Sequence, residues 1–133
     1  QTLTAMTLIS EMTDLRRFAH PRELMAFVGL VPRERSSGGR ERRGSITKAG
    51  NVHVRRVLLE AAWHYRHPCR GGGKTVLRRR KDQPSGIVEI ARKADLRLHR
   101  KYIRLVMKGK RTPVAATAVA RELVGFVWAV GRA

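Results

Sequence analysis

Apolar positions along this chain recur mostly at helical spacing, in segments separated by basic, glycine-rich stretches. Leu3, Met6, Thr7 and Ile9 or Ser10 fit a short apolar helix over residues 1–12. Asp14 to His20 is a polar break. Pro21 stands where a first helical turn tolerates it. Leu24, Met25, Phe27 and Val28 then form an apolar face, and Gly29 is placed to end that helix. Residues 30–50 lose the pattern: Pro32, Gly38, Gly39, Gly44 and Gly50 punctuate them, and Ile46 is nearly the only apolar anchor after Val31. Such a stretch reads as a loop or a loose hairpin.

Helical spacing returns after Gly50, with Asn51 as the expected N-cap. Val54, Leu58, Ala61 or Ala62, and Tyr65 mark one face, and Pro68 stops the helix. Residues 69–83, rich in Gly and Arg, read as a mobile loop. A long helix is predicted from about Ser85 to Met107, with Ile87, Ala91, Ala94, Leu98, Tyr102 and Leu105 on its apolar face. Arg92, Lys93, Arg97, Arg100, Lys101 and Arg104 lie on its other faces, and Lys108-Gly109-Lys110 ends it. Pro113 opens a last helix that is apolar nearly all round, a pattern that predicts burial at the centre or against a partner. The expected fold is therefore mainly α: a compact bundle of about five helices carrying a basic Gly/Ser-rich loop, with a small β-hairpin inside that loop as the alternative.

Composition sharpens this picture. The chain has 133 residues, room for one domain with one core, and 42% of them are apolar. Lys plus Arg number 29 against 10 Asp plus Glu, a net charge of +19 with neutral histidines. A compact fold with that imbalance repels itself unless a polyanion neutralises it, and nucleic acid is the obvious counter-charge. No continuous apolar run is long enough to suggest a membrane span, and no membrane partner is expected. Cys69 is the only cysteine, which excludes an internal disulfide and fits a reducing, cytoplasmic setting. The first residues lack the basic region of a signal peptide, and an opening Gln points to a longer parent chain.

Most local motifs fail on context. Gly71-Gly72-Gly73-Lys74-Thr75 suggests a phosphate loop, but Pro68 occupies the position of the leading glycine and a helix precedes it instead of a strand. His64, His67 and Cys69 lack a second ligand cluster for zinc. Trp63, Trp128, Phe18, Phe27 and Phe126 fall in apolar periodic segments and read as core. Glu11, Asp14, Glu23 and Glu60 are too scattered to form a two-metal site, so no cofactor is expected within this chain.

The segment from Arg33 to Arg40, continuing through Lys48 to Asn51, has a better physical rationale. Gly38 and Gly39 let backbone amides approach a phosphate closely, and the helix after Asn51 aims free N–H groups outward. Arg40, Arg43, Lys48, Asn51, Arg55 and Arg56 are the expected phosphate holders, by charge and by nearness in sequence. A serine in such a cradle could attack phosphorus, although no neighbour in the sequence supplies a general base. The alternative is a loop that only grips backbone phosphates.

Taken in order, Phe27-Val28-Gly29-Leu30-Val31-Pro32, Ser36-Ser37-Gly38-Gly39, Ile46-Thr47-Lys48-Ala49-Gly50-Asn51 and Arg55 to Ala62 closely resemble the C-terminal domain of the insertion-sequence-110 family of transposases. These are bridge-RNA-guided recombinases with pilin-gene invertases as relatives. Ala61 to Arg66 and Leu96 to Arg100 extend the likeness over nearly the whole chain. The resemblance implies a C-terminal strand-transfer domain over 1–133, in which the serine of a Ser-Gly motif attacks DNA and forms a transient phosphoserine link. The matching position is Ser37, with Ser36 as its neighbouring alternative. It further implies a separate N-terminal RuvC-like domain, absent from this sequence, whose four acidic residues bind Mg2+. DNA, a guide RNA, that RuvC-like domain and a second copy of the chain are the implied partners, at the bacterial nucleoid. The competing readings are a non-catalytic DNA- or RNA-binding module and a basic assembly module of the ribosome-associated kind.

Overall fold

The computed structural model describes residues 15–37, 40–46, 50, 52–68 and 74–132. The expected helix over 1–12 lies outside them. Among the described residues there are five α-helices: α1 (Pro21–Phe27), α2 (Val52–Trp63), α3 (Lys74–Arg80), α4 (Ser85–Met107) and α5 (Thr112–Arg132), of which α1, α2, α4 and α5 supply the core. Two antiparallel strands, β1 (Pro32–Ser37) and β2 (Arg40–Ile46), form a ribbon between α1 and α2. Of the two readings for residues 30–50, the hairpin is the one that forms.

Local chemistry sets the boundaries. Pro21 opens α1, where its missing N–H costs nothing. His20 Nδ1 accepts from the Arg22 amide, satisfying one unpaired helix-start donor, and Glu23 accepts from the Ala19 amide just before the cap. Gly29, at φ 73°, ends α1 in the left-handed region, with the Leu30 amide donating back to the Met25 carbonyl. Gly109 does the same for α4 at φ 87°, the Lys110 amide returning to the Leu105 carbonyl.

The core is built where the periodicity places it. Val54, Val57, Leu58 and Ala62 are buried from α2, and Ala94, Leu98 and Tyr102 from α4. Helix α5 packs on α1, α2 and α4, and it buries Ala115, Ala116, Val119, Ala120 and Val124. All five side chains are alanine or valine, small enough at a close crossing to let three helices approach one axis. The last turns of α5 reach the start of the described chain. The Phe18 carbonyl accepts from Trp128 Nε1 at 2.7 Å and from an Arg132 guanidinium nitrogen at 2.9 Å.

Two expectations need correction. Residues 74–80, read as part of a mobile loop, are helical: Lys74 to Arg80 contains neither Gly nor Pro, and Arg80 pairs with Asp95 of α4 at 2.6 Å. Trp63 is not a core residue. It stands 39% exposed, with its ring edge-on to Tyr102 and the Arg66 guanidinium over its face. Separately, helix α5, whose apolar run is interrupted by Arg121 and Glu122 as the sequence shows, is by length and composition alone long and apolar enough to cross a membrane. Its place against three other helices is also that of a core helix.

Candidate nucleic-acid interface

The ribbon stands on the core at one end. Leu30, fully buried, leads into β1, and Ile46 at the end of β2 packs against the core. Pro32 pairs with Ile46 at this base. The register then shifts, because Gly44 and Ser45 together oppose Arg33 before Glu34 pairs with Arg43. An extra residue of this kind raises local twist and re-aims the strand beyond it. From there the ladder runs regularly: Arg35 with Arg42, Ser36 with Glu41, and Ser37 with Arg40 at the far end. Ser37 is therefore the last strand position before the two glycines of the connection, and Arg40 is its cross-strand partner.

The structure brings some of the expected site residues together and separates others. Ser36, Ser37, Arg40 and Arg43 share the outer half of one ribbon. Gly38, Gly39, Lys48 and Asn51 lie outside the described residues. Arg56 is exposed on the first turns of α2. Arg55 is not available where it was expected. It is buried, 9% exposed, and its guanidinium donates to the Val28 carbonyl at 3.2 Å. Its side chain thus joins α2 to the end of α1. Gly50 makes the same junction tighter. With φ at 105°, it has a backbone that favours glycine, and a Cβ there would lie 1.8 Å from the Phe27 carbonyl oxygen. Together these contacts fix the start of α2 against the end of α1, and so fix the base on which the ribbon stands.

The sequence reading did not single out a second basic feature, the groove between α4 and α5. Lys93, Arg97, Arg100, Lys101 and Arg104 line one wall. Glu122 of α5 faces them, paired with Arg97 and with Lys101 Nζ at 2.7 Å. Partial burial pushes the Glu122 carboxyl up, but hydrogen bonds from Lys101 and Arg97 outweigh it and hold the group below its ordinary range. The signal was legible in the spacing of the cations along α4. What faces them was not. Among the described residues no group of three or more His, Cys, Asp or Glu side chains converges, so none is assigned to a metal.

Comparison with known proteins adds the family. The pattern of the transposase IS116/IS110/IS902 family matches residues 1–74, a stretch that includes α1, the ribbon and α2. The chain belongs to that transposase family. It is 49% identical, over 98% of its length, to y4qE of Sinorhizobium fredii, named as a transposase. It is 35% identical, over 82% of its length, to the transposase for insertion sequence element IS1533 of Leptospira borgpetersenii. A segment of 60 residues is 43% identical to the transposase for element IS1111A of Coxiella burnetii. The chain spans about a third of the length of the first two: 33% and 32%. No solved structure matches it.

Proposed function

We propose that this chain is the strand-transfer portion of a DNA transposase, and that Ser37 is its nucleophile. The observation that carries this reading is the position of Ser37 at the outer end of the ribbon, paired with Arg40 and next to two glycines, within the stretch that matches the family. In the proposed step the Ser37 hydroxyl oxygen attacks a phosphodiester phosphorus. A serine–phosphate bond forms, the bond from phosphorus to one strand's oxygen breaks, and that strand leaves as a free hydroxyl end. Arg40, Arg43 and Arg56 neutralise charge as it develops on the phosphoryl oxygens, the largest single contribution such residues can make. Gly38, Gly39, Lys48 and Asn51 complete the proposed cradle through backbone donors and charge. Arg55 is left out, since its guanidinium is engaged inside the fold.

The proton acceptor for the serine and the Mg2+ ions belong, in this reading, to a RuvC-like domain supplied by the same or another subunit. A guide RNA and a second copy of the chain are the further proposed partners, and the bacterial cytoplasm the proposed setting. A two-stranded ribbon alone is marginal in water, which suits an element completed by DNA or by such a domain.

The test is a nicked suicide DNA substrate offered to the full-length protein. Wild type and Ser36→Ala should form a covalent protein–DNA adduct, and Ser37→Ala should form none. An adduct that persists in Ser37→Ala excludes this serine as nucleophile. Steeply salt-dependent DNA binding with no adduct in any variant would favour the non-catalytic module.

A further inference from the structure

We propose that the groove between α4 and α5 is a second nucleic-acid surface, separate from the ribbon, and that it holds a segment of single-stranded DNA. The choice of DNA rests on the transposase reading; the groove's chemistry does not. Lys93, Arg97, Arg100, Lys101 and Arg104 recur at intervals that place them along one side of α4. Like charges three and four residues apart on a helix repel one another, so such a stripe weakens the helix unless something anionic answers it. Within the protein the answer is incomplete. Glu122 engages Arg97 and Lys101, while Lys93, Arg100 and Arg104 are exposed and make no ion pair among the described residues.

The shape of the groove selects the form of polyanion. The open groove offers about 600 Å³. That lies within the range of small-molecule sites, room for a flipped-out base rather than for a duplex. Its apolar lining comes from Leu96, 52% exposed, and Phe126, one turn beyond Glu122 on α5. Cations that follow a backbone beside an apolar and aromatic surface are what an unpaired base with its phosphates requires. A duplex keeps its base faces stacked inside and could meet only the rim of such a groove.

The experiment measures binding of short labelled single-stranded DNA to the full chain across a salt series, with duplex DNA and single-stranded RNA of the same sequence as competitors. Arg100 and Arg104 are exposed and make no ion pair among the described residues, so Arg100→Gln/Arg104→Gln should leave the fold intact. The double variant should bind single-stranded DNA roughly tenfold more weakly, with its salt slope shallower by about 1.4, the value for two lost phosphate contacts on a single strand. Duplex binding should fall by much less. Phe126→Leu should weaken single-strand binding while leaving the salt slope unchanged, because it removes the ring and no charge. Unchanged single-strand affinity in the double variant overturns the proposal, as does an equal loss for duplex and single strand. Tighter binding of RNA than of DNA overturns the choice of occupant. Failure of the Ser37 reading looks different: no covalent adduct forms, while single-strand binding still depends on Arg100, Arg104 and Phe126.

Discussion

Arg55 and Arg56 are adjacent in sequence and carry the same charge, yet the turn of about 100° between successive helical residues sends them to different surroundings. Arg56 lies exposed. Arg55 is inside, with its guanidinium donating to the Val28 carbonyl. Arg55→Ala should therefore lower folding stability by about 2–3 kcal/mol, since it empties a buried site and orphans a carbonyl. Arg56→Ala should change it by no more than about 0.5 kcal/mol. Urea denaturation of the two variants separates these outcomes, and a stable Arg55→Ala variant with weakened DNA binding would return Arg55 to the phosphate site. Charge and sequence proximity placed both residues in one candidate cradle. The helical stripe through Val54 and Leu58 held the information needed to separate them, because position 55 borders that stripe.

Among the elements, α4 was the most legible: its bounds, Ser85 and Met107, follow from twenty-three residues of unbroken periodicity closed by Gly109. Helix α3 was the least legible. Seven residues are too few to show a period, and their helix is secured by a contact remote in sequence, the Arg80–Asp95 ion pair. Asp95→Ala should remove about 0.5–1 kcal/mol, the range for partly exposed ion pairs. Its effect should be local. Amide hydrogen exchange should accelerate across Lys74–Arg80, while the central turns of α4 around Leu98 keep their protection. Equal acceleration in both helices would show that α3 is held by something other than this pair. The ribbon lies between these cases: the glycines and serines of residues 30–50 allowed a hairpin, but they did not fix the register that makes Ser37 the partner of Arg40.

At the scale of the molecule, a net charge of +19 is distributed over more than one surface. The outer ribbon and the α4–α5 groove each concentrate cations, and Glu122 is the one carboxylate lining the second among the described residues. Because its pKa is lowered on folding, the ionised form of Glu122 stabilises the native state. That contribution is fully present above the ordinary carboxylate value of 4.5 and is lost as pH falls from there through the lowered folded value. Wild-type stability should thus decline on acidification with a component that Glu122→Gln lacks, and the variant should be the less stable of the two at neutral pH. Thermal unfolding across an acid pH series measures both, and identical pH slopes would remove Glu122 from the account.

By itself the sequence determined the helical class, the core faces of α2 and α4, the helix ends at Gly29 and Gly109, the family and the demand for a polyanion. Each of these is written in local spacing, local turn chemistry or total charge. Only the tertiary structure decided that Arg55 is buried while Trp63 is not, that Gly50 must clear the Phe27 carbonyl, and that Glu122 meets the α4 cations. Those outcomes depend on which surfaces meet across segments distant in sequence, and a residue's own neighbours in the chain carry no record of what will face it.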